Sequence, residues 1–308
     1  MIFEKAGMFS TFHKETASDP LAHNLANALV GNTADNATLE MTFVAPVIRF
    51  DEPTLISLTG ADFKAYTKDK KVAPYKLHLM EQGDILYFKG PNKGTRAYMA
   101  IGGGIQLQKT TNSDSLINGL TGLINEGDAY ELNRQYSALQ KSLLYQLIHD
   151  KEAKWGIDSY SLARIYYSDV FHIIETADTA LLTAEEKEMI TADVYEVSQQ
   201  FNRIGFLLEG DRIERSIETT PQPIGRGAIQ INPDGKLIVI QNDVKKKGHY
   251  PQIATVAPHH LPKLSQKKPG SRLLFKWESP EEYALSEKSY SAWVKSILLQ
   301  IDYQLKNH

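Results

Sequence analysis

Apolar residues recur along this chain at two different periods. Between Ser18 and Asn32 they fall at Leu21, Leu25, Ala28 and Leu29, the spacing of one helix face. Ser18-Asp-Pro20 opens the stretch as a cap followed by proline, and Gly31-Asn32 closes it. The pattern predicts a helix over 20–30. From 37 to 108 the apolar runs shorten to Thr38–Val44, Val47–Phe50, Thr54–Thr59, Leu77–Met80, Ile85–Phe88 and Arg96–Ile101. Asp51-Glu-Pro53, Lys68-Asp-Lys70, Gln82-Gly-Asp84 and Gly90-Pro-Asn-Lys-Gly94 punctuate them. Short runs broken by turn residues every ten positions or so predict an all-β barrel or sandwich.

Residues 109–127 are rich in Ser, Thr, Asn and Gly and read as a loop. Helical spacing returns at Tyr136, Leu139, Leu143, Leu144 and Leu147, predicting a helix over Leu132–Ile148. A strand is expected at Leu162–Tyr167, and Thr183-Ala-Glu-Glu186 reads as a capping box opening a helix that runs to Ile190. Strands follow at Val194–Ser198, Arg203–Leu208, Ala228–Ile231, Leu237–Asn242, Ile253–Val256 and Arg272–Trp277, with a tight turn at Asn232-Pro-Asp-Gly235. A helix over Pro280–Leu305, with a break near Glu287, ends the pattern. The expected organisation is mainly β with helical insertions: an N-terminal lobe over 1–125, a partly helical connector over 126–190 and a C-terminal lobe over 191–308.

Composition narrows the chemistry. In 308 residues there are 37 acidic and 34 basic side chains, a net charge of −3, which gives no general basic surface for nucleic acid. The absence of cysteine removes disulfides, thiolate nucleophiles and zinc–thiolate sites. No window approaches 18 uninterrupted apolar residues, and the first ten carry charge where a signal peptide needs an apolar core. A cytoplasmic protein with no membrane and no nucleic-acid partner is expected.

No phosphate-binding G-x-x-x-x-G-K-[ST] loop, G-x-S-x-G elbow or H-E-x-x-H helix is present. His172-Ile-Ile-Glu175 and His259-His260 are the two candidate ligand pairs; three-residue spacing aligns side chains on a helix, whereas adjacent histidines on a strand point to opposite faces, and surface or capping histidines are the better reading. Neither metal nor flavin is expected. Gly102-Gly-Gly104 reads as a tight turn or as a place where backbone approaches a ligand. Lys245-Lys-Lys247 reads as a solvated hairpin tip or an anion-attracting patch. The densest polar set is Asn202-Arg203, Glu209, Gln230, Gln241, Asp243 and Tyr250. A guanidinium beside amides suits a carboxylate or amide substrate, and an equally good reading is a structural hydrogen-bond network.

Leu25–Asn32, Leu39-Glu-Met-Thr42, Leu58-Thr-Gly-Ala-Asp62, Arg96–Ile105, Asn202–Gly210, Gly227-Ala-Ile-Gln230, Tyr250-Pro-Gln-Ile-Ala254 and Gln266-Lys-Lys-Pro-Gly270 resemble, in this order, the carboxyltransferase subdomain B family. That family also goes by allophanate hydrolase subunit 2 or KipA-like, and includes the C subunit of the bacterial 5-oxoprolinase. The resemblance implies two cyclophilin-like β-barrel lobes and a subunit-1 or KipI-like partner, joined in the oxoprolinase by a LamB/YcsF-type protein. The activity it implies is ATP-dependent opening of a small cyclic amide, or carboxyl transfer, with ATP engaged together with the partner. Arg203 and Asp243 would then be catalytic, and Asn202, Gln230, Gln241, Tyr250, Gly103 and Gly104 would bind substrate. Polar motifs depart from the family pattern: Asn202 stands in place of a carboxylate, and Val244-Lys-Lys-Lys-Gly-His249 in place of Gln-Thr-Thr-Gly-Gly. Loss of a carboxylate removes proton-transfer capacity with little change of shape. A non-catalytic regulatory protein that binds a KipI-like partner is therefore the alternative reading.

Overall fold

The structure, a computed structural model, describes residues 1–307 apart from 15, 108–121, 151, 201–204, 216 and 242–243. Most of the loop expected over 109–127 therefore lies outside the described residues. Two compact units divide the chain. One holds the chain up to Leu162 and the last helix from Trp293; the other is Ala163–Ala292.

The first unit contains β1 (Ile2–Lys5), β2 (Phe9–His13), α1 (Pro20–Leu29), β3 (Thr38–Thr42), β4 (Val47–Arg49), β5 (Thr54–Gly60), β6 (Ala65–Tyr66), β7 (Lys71–Val72), β8 (Leu77–Met80), β9 (Ile85–Phe88), β10 (Arg96–Ile101) and α2 (Ala138–Asp150). The strands form two five-stranded sheets, ordered β1-β4-β9-β6-β7 and β2-β3-β10-β5-β8. Phe12, Leu39, Met41, Ile56, Leu58, Met99 and Ile101 send one face of the second sheet into a single apolar core, which Phe3, Ile48 and Leu86 of the first sheet share. Strand side chains alternate faces, so Glu40, Tyr98, Ser57 and Thr59 take the opposite face.

That opposite face is roofed by α1. Asp19 caps the helix by accepting from Ala22 N at 2.9 Å, and Pro20 follows, as the sequence predicts. Ser57 Oγ and Thr59 Oγ1 donate to the helix carbonyls of Ala26 and Ala22, both at 2.7 Å. Hydroxyls thus bond the helix to the sheet from below, which explains a strand that is buried on both faces yet alternates apolar and hydroxylic residues.

After α3 (Ser159–Tyr166), the second unit contains β11 (Val170–Glu175), α4 (Ala184–Ala192), β12 (Val194–Val197), β13 (Gly205–Glu209), β14 (Gln222–Ile224), β15 (Ala228–Ile231), β16 (Leu237–Ile240), β17 (Val244–Gly248), β18 (Gln252–Val256), α5 (Leu261–Ser265) and β19 (Arg272–Trp277); α6 (Pro280–Asn307) follows. Seven strands close into a barrel, β11-β18-β15-β16-β13-β12-β19, while β14 and β17 pair as a separate ribbon. Closure is made by a parallel pair, with Val170 opposite Leu274 and Ile173 opposite Trp277. Phe171, Ile173, Val197, Phe206, Ile229, Val239, Ile253 and Phe275 fill the interior.

The mainly β architecture with helical insertions and barrel lobes is borne out. Three local expectations are corrected. Leu162–Tyr167 is not a strand but lies in and just beyond α3, entered through Asp158, whose Oδ1 accepts from Tyr160 N at 3.0 Å. Among its described side chains Leu162 and Tyr166 are buried, four apart as a helix face requires. His172–Glu175 is in a strand. The last helix runs unbroken through Glu287, because no proline or glycine interrupts it after Pro280. No helix among the described residues is long and apolar enough to cross a membrane.

Candidate functional site

Of the polar set expected from sequence, the barrel joins Gln230 and Tyr250. Ile229 and Ile231 of β15 face the interior, so Gln230 faces outward, where Gly248 at the end of β17 covers it. Its Nε2 donates to Tyr250 O at 3.2 Å, and the side chain is buried. A β-carbon at Gly248 would stand 2.9 Å from Gln230 Nε2 and 2.2 Å from Ile224 Cδ1, so only glycine lets the ribbon lie this close. Tyr250 is 39% exposed, so a partly wet residue supplies the carbonyl that the buried amide reaches.

Asp178, which no motif in the sequence singles out, anchors this edge. Its Oδ2 accepts from Gln222 Nε2 at 2.6 Å, Gln252 N at 2.9 Å and Thr219 Oγ1 at 3.1 Å. One carboxylate thereby ties the ribbon strand β14 to β18. Asp178→Ala leaves those donors without an acceptor, and a destabilisation of about 1–3 kcal/mol is expected. Hydrogen exchange should show faster opening of the β14–β17 ribbon than of the barrel strands.

Gln241 sits elsewhere. Leu237 and Val239 face the barrel interior, and Gln241, next in that alternation, donates to Leu264 O of α5 at 2.9 Å. It is thus on the opposite sheet face from Gln230. Asn202, Arg203 and Asp243 lie outside the described residues. Glu209 is at the far end of β13 and accepts from Lys236 Nζ at 2.6 Å. The Lys245–Lys247 backbone belongs to β17, with Lys247 opposite Pro223.

Gly103 and Gly104 belong to the first unit, at the corner after β10. Gly103 N donates to Asn32 Oδ1 at 2.9 Å, and Gln140 Nε2 of α2 donates to the same oxygen at 2.8 Å. Gly103 has φ +78°, and a β-carbon there would stand 2.8 Å from Asn133 O. Gly103→Ala is expected to cost about 1–3 kcal/mol of stability, from left-handed strain and the backbone collision together; the urea unfolding midpoint reads it.

The most charged interior lies beneath α1. Pairing of β3 with β10 sets Glu40 opposite Tyr98 and Thr42 opposite Arg96, while β2 sets Thr11 opposite Glu40. Glu40 accepts from Ser18 N at 3.0 Å, Ser18 Oγ at 2.9 Å and Tyr98 Oη at 2.8 Å. Arg96 Nε is 3.4 Å and His13 Nε2 4.0 Å from the carboxylate. Burial pushes the Glu40 carboxyl up, but His13, Arg96 and the donated hydrogen bonds outweigh it and hold the pKa at about 2. Tyr98 is driven far above its usual value by burial and by Glu40. The sequence signal for this cluster is a lone carboxylate inside the apolar run Leu39-Glu-Met41. All of it is buried, so it shapes the lobe rather than meeting a ligand from solvent.

Open clefts mark the first unit's surface among the described residues. One of about 920 Å³ is lined by Asp51, Glu52, Glu131 and Arg134 among others. A second of about 620 Å³ is rimmed by Lys64, Lys68, Lys70, Lys71 and Lys89 around Tyr66.

Comparison with known proteins covers both units. The family model described as carboxyltransferase domain, subdomain A and B, matches residues 16–277. The C subunit of 5-oxoprolinase from Escherichia coli (strain K12) is 28% identical over 274 residues, 86% of this chain and 83% of that protein. Among solved structures, TTHA0988 superposes with a TM-score of 0.75 at 21% identity, covering 89% of this chain and 56% of that one. The K. lactis urea amidolyase gives a TM-score of 0.76 at 21% identity over 96% of this chain. The chain spans just over half of the first solved protein, at 56%, and 20% of the second, so these two likenesses concern the fold. With its match running from α1 to the last barrel strand, the chain belongs to the carboxyltransferase domain family, subdomain A and B.

Proposed function

We propose that this chain is a diverged subunit of a 5-oxoprolinase- or allophanate-hydrolase-like complex, performing ATP-dependent opening of a small cyclic amide or a carboxyl transfer with a partner subunit. The observation that carries the reading is the family match across 16–277, supported by a relative that is itself named a subunit and is covered over 83% of its length. In this reading Arg203 grips a substrate carboxylate as a fork of two parallel donors, Asp243 moves a proton, and Asn202, Gln230 and Tyr250 orient the amide. The partner is a subunit-1 or KipI-like protein, with a LamB/YcsF-type protein completing the set, and ATP is engaged through the complex in the cytoplasm.

The test is reconstitution of the full chain with such partners, following 5-oxoproline conversion to glutamate alongside ATP hydrolysis. Turnover that requires this chain supports the reading; its absence in an assembled complex removes it. The departures at Asn202 and Val244–His249 favour one second reading, a regulatory protein that captures a KipI-like partner without catalysis. Tight binding with no turnover, and suppression of the partner's own activity, would select it.

A further inference from the structure

A cluster of lysines surrounds one aromatic pair on the outer face of the first sheet. Strand β6 pairs with β7 on one side and β9 on the other, setting Tyr66 opposite both Lys71 and Tyr87. Ala65, Val72 and Phe88, their neighbours in the alternation, pack on the core, so Tyr66, Lys71 and Tyr87 take the outer face. The Tyr66 and Tyr87 rings stack at a centroid distance of 5.5 Å, and Lys89 Nζ stands 5.4 Å from the Tyr66 centroid. Two tight turns carry the remaining cations. Lys64 has φ +52°, held by Asp62 Oδ1, which accepts from Lys64 N at 2.7 Å. Thr67 N donates to Lys70 O at 2.8 Å, closing the turn that holds Lys68 and Lys70.

The charge gathered here is uncompensated. The five lysines line one cleft of about 620 Å³ with only Asp62 and Asp69 against them. That is an excess of three positive charges in a chain whose net charge is −3. Other lysines have carboxylate partners: Lys76, Lys187, Lys236 and Lys267 each lie within 2.8 Å of one. Among the described residues no carboxylate pairs with any of the five in the cleft; Lys70 Nζ donates instead to Leu79 O at 2.9 Å. Protection of a sheet edge by lysine accounts for Lys71 on the terminal strand β7. It does not account for Lys89, which follows the interior strand β9, nor for a lysine at position 64, where the left-handed backbone costs free energy.

We propose that this cleft binds a di- or triphosphate group, free or carried by a nucleotide. A cleft lined by one sign of charge concentrates its field on counter-ions, and its volume falls in the range of small-ligand sites. The lining supplies ammonium point charges and no guanidinium fork, which suits a multiply charged phosphate chain over a planar monocarboxylate. Tyr66 is already engaged by Tyr87 and by the Lys89 ammonium. The ring therefore fixes a cation in place, and recognition rests on the phosphates and not on a base. The site is built wholly from the first unit and does not depend on the proposed role in an oxoprolinase-like complex.

The experiment titrates the full chain with sodium triphosphate in a calorimeter at low and at physiological salt, with ATP, adenosine and a glutamate-rich peptide as comparisons. Triphosphate should bind at one site, raise the melting temperature and weaken as salt rises, while adenosine gives no heat. Equal affinity for triphosphate and ATP identifies the phosphate chain itself as the ligand; ATP tighter by about 10-fold or more identifies a nucleotide. The double variant Lys71→Gln/Lys89→Gln changes two exposed positions beside Tyr66, so it folds, and it should weaken triphosphate about 10-fold. The matched variant Lys288→Gln/Lys295→Gln, at two exposed positions of α6, should leave triphosphate binding unchanged. No binding by wild type, equal weakening in the two double variants, adenosine binding as well as ATP, or a glutamate-rich peptide binding as tightly as triphosphate overturns the proposal.

Discussion

Glu40→Ala is expected to destabilise the protein by about 3–5 kcal/mol, the range for breaking a buried charge pair by removing one partner. The carboxylate is the common acceptor for Ser18 and Tyr98 and the counter-charge for Arg96 and His13. Without it a guanidinium 10% exposed loses its counter-charge in a place with little water. Glu40→Gln keeps an acceptor for Ser18 and Tyr98 but loses the charge, so it should fall between wild type and alanine. The pH dependence has a definite sign. With a folded pKa of about 2 against an ordinary 4.5, the native state binds fewer protons than the unfolded chain inside that window. The contribution of Glu40, about 3 kcal/mol, is complete above pH 4.5 and is lost as pH falls toward 2. His78, held at about 4 chiefly by burial, and His260, held at about 2 by burial and by Lys263, titrate on the same acid limb. The wild type minus Glu40→Gln difference, measured by urea unfolding from pH 7 to pH 3, isolates the carboxylate. A difference that does not shrink on acidification would refute this account.

The same cluster shows what the sequence displays and what it hides. Period-two alternation in Thr38-Leu-Glu-Met-Thr42 and Arg96-Ala-Tyr-Met-Ala-Ile101 makes both segments legible as strands. The alternation even separates Leu39 and Met99 from Glu40 and Tyr98. What it does not reveal is that the polar face is also buried, because its roof, α1, is a separate element whose docking depends on Ser57 and Thr59 reaching two carbonyls. The Leu162–Tyr167 run is too short to distinguish a strand from a helix by period alone; Asp158, one residue before α3, is the cue that separates them. At the barrel, Gln230 and Gln241 both look like pocket residues in sequence. Register alone puts them on opposite faces, since Gln230 pairs with Ile238 and shares its outward parity. His172 and His259 are 87 positions apart and join because β18, which runs into the Pro258–His260 turn, closes against β11 as an antiparallel pair. Local spacing rules, applied to each histidine pair separately, have no access to that closure.

Lys263 is a buried ammonium whose cost should be readable from pH in a separate, alkaline window. Its Nζ donates to Val170 O and lies 4.5 Å from the centroid of the Phe171 ring. Burial, with Lys267 nearby, pulls its pKa from 10.5 to about 7 against the weaker pull of Asp169. Between pH 7 and 10.5 the unfolded chain carries a proton on this amine that the native protein does not, so native stability rises with pH across the window and is flat outside it. The carbonyl bond and the ring contact favour the charged form and oppose burial, so the full shift overstates the cost. Lys263→Met keeps the volume and the aromatic contact while removing the charge. It is expected to stabilise the second unit at pH 7 by about 1–2 kcal/mol, within the range for replacing buried ions by apolar groups, and to flatten the rise between pH 7 and 10. Asp169 keeps its ion pair with Lys267 at 2.6 Å in the variant, so no carboxylate is stranded by the change. A variant less stable than wild type at pH 7 would mean that the ammonium is held by its carbonyl and its ring more strongly than burial opposes it.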